Sequence, residues 1–162
     1  MEQTILTFYK FIPFPDFEKW KEKLEKEGNR LSILGSIILA KEGINATISG
    51  LDSDVYEFFD WIKEHELFSD LRARESFSPR KTFYRFKIFL REEIVTLGDD
   101  SVDPNELVGE YVDPEKWNDI INDPEMTVID TRNDYEIALG TFEGAVNPKT
   151  KTFSQWLSLI HI

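Results

Sequence analysis

The chain has 162 residues, with 31 acidic and 19 basic side chains for a formal net charge of -12, and it contains no cysteine. Disulfides, thiolate–metal sites, iron–sulfur clusters and cysteine nucleophiles within these residues are thereby excluded, and with His65 and His161 as the two histidines no metal site is expected. A hydrophobic content of 41% fits a globular protein; no apolar run nears the ~20 residues a membrane-spanning helix needs, and Met1-Glu2-Gln3 opens no secretory signal, so a cytoplasmic location is expected.

The charge is uneven. Residues 1–97 carry 15 basic and 17 acidic side chains, whereas residues 98–162 carry 4 and 14. The Gly, Asp and Pro content of Gly98–Asn105 reads as a linker. The expected organisation is a domain over 1–97, an acidic linker over 98–112 and a second unit over 113–162.

In chain order, Ile5–Phe11 reads as a strand, ended by Pro13 and Pro15, with Asp16 placed to cap a helix. Phe17, Trp20 and Leu24 form that helix's apolar stripe, and Gly28 is expected to stop it. Ser36–Ala40 and Ile44–Ser49 are two strands around Lys41-Glu42-Gly43, where Gly43 suits the positive φ of a short hairpin loop. Lys41, Glu42 and Asn45 cluster at this turn, where a Lys/Glu pair could bind a substrate or anion or be ordinary turn chemistry. Asp52 or Ser53 is expected to cap a second helix with Val55, Phe58, Phe59 and Ile62 on one face, and His65 lies near its C-terminal end. Thr82–Leu90 alternates as a last strand. The order βαββαβ is that of an α+β, ferredoxin-like domain.

Between Arg72 and Arg91 stand seven basic residues and one acid, Glu75. Strict alternation would put Lys81, Phe83, Arg85, Lys87, Phe89 and Arg91 on one face and Tyr84, Phe86, Ile88 and Leu90 on the other. Cations interleaved with rings suit RNA, since charge neutralises phosphate and exposed rings stack on unpaired bases. The same pattern fits a half-buried strand whose phenylalanines pack under a neighbour.

In the second unit Asp113-Pro114-Glu115 is a helix start, with Trp117, Ile120 and Ile121 as its apolar stripe. Thr127–Asp130 reads as a short buried strand, Gly140–Pro148 is turn-rich, and a helix-like pattern begins at Phe153. These pieces are too few to close an α/β core, so a whole first domain plus the opening of a second is expected. His161 is expected to be exposed.

Three segments carry a family resemblance. Ala40–Gly50 (AKEGINATISG), Arg91–Gly98 (REEIVTLG) and Val128–Glu136 (VIDTRNDYE), the last followed by Gly140–Ala145, resemble in the same order the signatures of the bacterial rhodanese-like proteins assigned as tRNA uridine hydroxylases. The resemblance runs from about Ile5 to Phe153. It implies an acylphosphatase-like N-terminal domain joined to the beginning of an α/β rhodanese-like domain, and conversion of a tRNA wobble uridine to 5-hydroxyuridine with molecular oxygen as co-substrate. It makes Glu42, Gly43 and Asn45 a signature turn. Asp130 and Arg132 match the structural D-x-R step of the rhodanese domain. The family's cysteine loop is absent from this chain, so no catalytic residue is assigned here, and the chain by itself is expected to be an inactive fragment with no bound cofactor. The partner implied is tRNA, not DNA or a membrane, with self-association through the C-terminal segment as a further expectation. A reading from another class is an autonomous protein-interaction module acting through the acidic tail. Acylphosphatase-like hydrolysis is disfavoured, because the loop Ile12-Pro13-Phe14-Pro15 lacks the arginine which that chemistry uses.

Overall fold

A computed structural model describes residues 2–94, 109–110, 112–150 and 155, which fall into two compact units, 1–95 and 96–162. Most of the acidic stretch read as a linker, together with Phe153 and His161, lies outside the described residues.

In the first unit the strands are β1 (Gln3–Phe11), β2 (Leu34–Ala40), β3 (Gly43–Gly50), β4 (Ala73–Ser78) and β5 (Phe86–Leu90); the helices are α1 (Phe17–Arg30) and α2 (Asp52–Lys63). The sheet order is β4-β1-β3-β2-β5. Neighbours among the first four strands are antiparallel, whereas β5 runs parallel to β2. The β4-β1-β3-β2 portion with its two helices is the ferredoxin-like α+β arrangement.

Its closing strand differs from the expected one. Ala73–Ser78 completes the four-stranded core beside β1, and the basic segment supplies an extra strand at the opposite edge. That strand is shorter than the alternation implied: it starts at Phe86, because Gly35–Leu39 of β2 is its one line of backbone partners. Tyr84 consequently lies outside it and is 86% exposed instead of facing the core.

Period-2 alternation makes the sheet one-sided. Leu6 and Phe8 of β1, Ile37 and Leu39 of β2, Ile44, Ala46 and Ile48 of β3 and Ile88 of β5 join Trp20, Leu24, Val55, Phe58 and Ile62 of the helices in one core. Each fully buried aliphatic or aromatic side chain there contributes on the order of 1.5–3 kcal/mol. The helix starts are less side-chain-dependent than expected. Asp16 stands at the N-cap of α1 without a capping bond, and Leu51 holds the N-cap of α2, leaving Asp52 as the first helical residue and acceptor of the Thr4 hydroxyl. His65 caps a following 3-10 turn, Glu66–Phe68, through its ring nitrogen.

Gly28 does not end α1, which continues to Arg30. Its missing side chain makes room for a neighbour: a Cβ there would sit 2.2 Å from Cε1 of Phe86, whose ring meets Phe58 edge-on at 5.9 Å. The extra strand thus packs onto α1 through a glycine-sized notch.

In the second unit, α3 (Pro114–Ile121) starts at Asp113 with Pro114 in the first turn, and α4 (Asp134–Ile137) starts with a capping box between Asn133 and Glu136. The expected buried strand at Thr127–Asp130 is a single parallel bridge, Ile129 to Val146, with Ile129 42% exposed. Among the described residues of this unit the buried ones are Asp130 and Thr150; no hydrophobic side chain is buried. No helix among the described residues of the chain is long and apolar enough to cross a membrane.

The Gly28 notch yields a test. Gly28→Ala gains up to about 1 kcal/mol of helix propensity but overpacks the Phe86 contact at a cost of about 1–3 kcal/mol. Urea unfolding should show a net loss, and adding Phe86→Leu should recover part of it.

Candidate nucleic-acid interface

Side chains alternating with the core residues form the other face of the first unit's sheet. The pairing register aligns them in rows. One row crosses all five strands as Arg74, Thr7, Thr47, Ser36 and Lys87. The next crosses four strands as Tyr9, Asn45, Ile38 and Phe89. Arg74, Thr7 and Lys87 are exposed, Tyr9 is 54% exposed, and Thr47, Ser36, Asn45 and Phe89 are partly exposed. The Thr7 and Thr47 hydroxyls share a hydrogen bond of 3.3 Å. The face has a hydroxyl-rich floor, a cation at each end of one row and a ring at each end of the other.

The connection from β4 to β5 joins opposite sheet edges, so it must cross the sheet. It does so on this face: the Thr82 hydroxyl bonds that of Ser49 at 3.1 Å, and the Thr82 amide donates to Oε1 of Gln3 at 3.4 Å. Ser49 and Gln3 share the face of Thr47 and Thr7, and the crossing leaves Ser49 fully covered. Arg80, Lys81 and Arg85 ride on this segment and are exposed.

The six positions singled out as RNA-contact candidates therefore do not form one alternating face. Lys81, Phe83 and Arg85 belong to the crossing segment, Lys87 and Phe89 to β5, and Arg91 follows its end. All six still border one surface. Phe83 and Phe89 are partly covered, and the Arg91 guanidinium lies 5.3 Å from the Phe89 ring centre. Two residues of this face were not among the candidates: Tyr9, and Arg74 of the basic stretch. The signal for Tyr9 was available, because it alternates with Phe8 on β1; Arg74 required a strand that the sequence does not announce.

The signature turn is structural at one end and surface-forming at the other. Lys41 and Glu42 link β2 to β3, and Gly43 has φ +142 with the Lys10 carbonyl oxygen 2.0 Å from where a Cβ would stand. The Glu42 carboxylate accepts the amide of Ile94 at 2.6 Å, and the Ile94 side chain is buried. Two of the segments that carry the family resemblance thus meet through one hydrogen bond. Asn45 points the other way, onto the open face.

In the second unit Asp130 is a hub. Arg132 donates to it from Nε at 2.9 Å, from Nη2 at 2.6 Å and from its backbone amide at 3.2 Å, and Thr141 adds its hydroxyl at 2.8 Å. Nη2 also reaches the Gly140 carbonyl at 2.7 Å. The Arg132 hydrogen bonds, then that of Thr141, hold the Asp130 carboxyl well below the usual carboxylate range. The pair braces the loop between Ile129 and Gly140. No cluster of side chains able to hold a metal ion occurs among the described residues.

Residues 3–94 match the family described as UPF0176 acylphosphatase like domain. A tRNA uridine(34) hydroxylase of Picosynechococcus sp. is 44% identical over 152 residues, an alignment covering 94% of this chain and 51% of that protein. One from Acaryochloris marina is 44% identical over 155 residues, covering 94% and 50%. The chain spans about half the length of the curated relatives it matches. Among solved structures, the dark state of BlrB, a BLUF protein, is 19% identical with a TM-score of 0.48, covering 56% of this chain and 74% of that one.

Two outcomes follow from these contacts. Glu42→Ala leaves the Ile94 amide without its acceptor, at a cost of about 1–3 kcal/mol; its hydrogen exchange should accelerate at least tenfold, while Glu42→Gln, which keeps an oxygen, stays near wild type. The depressed Asp130 carboxyl stabilises the second unit above the ordinary carboxyl pKa of about 3.9, and that contribution is lost as pH falls toward its lower folded value. A carbon-13 NMR titration should give Asp130 a midpoint below those of the exposed carboxylates, and Thr141→Ala should raise it.

Proposed function

The chain belongs to the family of the UPF0176 acylphosphatase like domain, and on that footing we propose that it is the tRNA-holding portion of an oxygen-dependent tRNA wobble-uridine 5-hydroxylase. The observation that carries this reading is the gathering of Arg74, Lys81, Arg85, Lys87 and Arg91 around one sheet face of a chain whose net charge is -12. Cations concentrated against the overall charge suit a polyanion, and phosphate neutralisation supplies affinity that falls with salt. The named relatives, tRNA uridine(34) hydroxylases, support tRNA as that polyanion.

On this reading the first unit binds and the chemistry needs the further half that the relatives possess. This chain has no thiol, and no residue of it is given a step in the oxygen reaction. The second unit is the opening of the rhodanese-like domain, with Asp130 and Arg132 bracing the loop between Ile129 and Gly140.

The test uses the 162-residue chain with unmodified tRNA. Binding is expected without formation of 5-hydroxyuridine in the recovered nucleosides. Arg85→Ala/Lys87→Ala should weaken binding to all tRNAs alike and reduce the slope of log K against log salt by about two. Unchanged affinity and slope would remove the tRNA contact and favour the interaction-module reading; hydroxylation by the purified chain would end the claim of inactivity.

A further inference from the structure

We propose that the sheet face opposite the helices is a site for unpaired RNA, in which Tyr9 is the stacking platform and Asn45 reads the edge of the base lying beside it. The inference rests on the tRNA reading and deepens it: the substrate feature held here is a single-stranded loop, not a helical stem.

Asn45 makes the first argument. It stands in the middle strand of the sheet, a position that favours β-branched or aromatic residues and disfavours asparagine. It is partly exposed, and among the described residues its side-chain amide makes no hydrogen bond. An amide offers an acceptor and two donors, enough to pair with a base edge. Its flanking residues in the row are Tyr9 on one side and Ile38 on the other, so a base stacked on the ring lies beside the amide.

The second argument is the layout around it. The adjacent row offers Thr7, Thr47 and Ser36 hydroxyls between Arg74 and Lys87. With strands about 4.8 Å apart, the two cations stand about 19 Å from each other, a span for about two or three splayed bases with phosphates at both ends. The hydroxyls match ribose 2′-hydroxyls. A duplex hides its base faces and could use the cations but neither Tyr9 nor Asn45. The shortage of apolar side chains on the two rows, with Ile38 as the aliphatic member, disfavours a protein partner.

The experiment is fluorescence anisotropy of the 162-residue chain with a labelled unpaired RNA hexanucleotide and with the same sequence in a blunt duplex. The hexanucleotide should bind at least tenfold tighter than the duplex. Tyr9→Ala should lose about tenfold or more of that affinity while Tyr9→Phe retains it. Asn45→Ala should flatten the preference among homopolymeric hexanucleotides without changing the salt slope. Asn45→Asp, nearly the same shape, should weaken binding through its charge; circular dichroism checks that each variant is folded. Equal binding of duplex and hexanucleotide, or unaltered affinity and base preference in the folded Tyr9 and Asn45 variants, would overturn the site. If tRNA binding still depended on Arg85 and Lys87, the tRNA reading would survive that result; if neither RNA bound, both would fall.

Discussion

The turn at Lys41-Glu42-Gly43 is the point on which the first unit's geometry depends. Gly43 sits where the Lys10 carbonyl comes too close for any side chain, and its positive φ closes the hairpin. The same turn accepts the amide of Ile12 on the Glu42 carbonyl at 2.9 Å and that of Phe14 on the Lys41 carbonyl at 2.7 Å, and its carboxylate accepts the Ile94 amide. Strand pairing, the entry to α1 and the segment after β5 are tied at one place. Register is what this secures. A slip of one residue would turn each side chain of a strand to the opposite face, sending Asn45 into the core and Ile44 or Ala46 out.

Because the register is fixed, the two faces of the sheet diverge in chemistry. One carries the helices and nearly all of the buried apolar side chains; the other carries hydroxyls, an amide and cations beside Tyr9, Ile38 and Phe89. The fifth strand makes this second face wide. Linking opposite edges forces residues 79–85 across the sheet, and that crossing places Arg80, Lys81 and Arg85 at its border. Charged side chains at the two edges, Arg74 on β4 and Lys87 on β5, also discourage another strand from adding there. The proposed polyanion attraction would draw on the same residues as edge protection, so their charge alone does not distinguish the two roles. Asn45 does, since it lies in the sheet interior.

How far the sequence was legible follows from the same physics. The helices α1 and α2, the hairpin and the conformation of Gly43 were readable because local periodicity and turn chemistry decide them. Strand β4 was not: ARESFS is an edge strand with Arg74 and Ser76 on the open face, and Glu75 faces Tyr56 instead of an apolar layer. No apolar rhythm marks it. The alternation of Thr82–Leu90 outruns the strand itself for the complementary reason, since a pattern can persist where backbone partners run out. Gly28 looked like a helix stop, but its role is set by Phe86, 58 residues away, and such a contact is invisible to local rules. At the surface, the candidate cations could be identified by type; their common border could not, because it depends on a crossing that only the topology imposes.

The two units are held by different forces. In the first, a continuous apolar core excludes water, and its stabilisation is insensitive to pH and to moderate salt. In the second, the described residues bury no hydrophobic side chain, and the order of the loop after Ile129 rests on a carboxylate that gathers a guanidinium, a hydroxyl and an amide. Charge-assisted hydrogen bonds of this sort are strong only while the carboxylate is ionised. Acid therefore weakens this brace as the carboxylate protonates, a dependence that the apolar core of the first unit does not share. The acidic surplus of residues 98–162 acts in the opposite sense, because fourteen carboxylates against four cations repel one another at neutral pH and protonation relieves that repulsion. Salt screens that repulsion with a Debye length of about 8 Å at physiological strength, so added salt steadies the second unit.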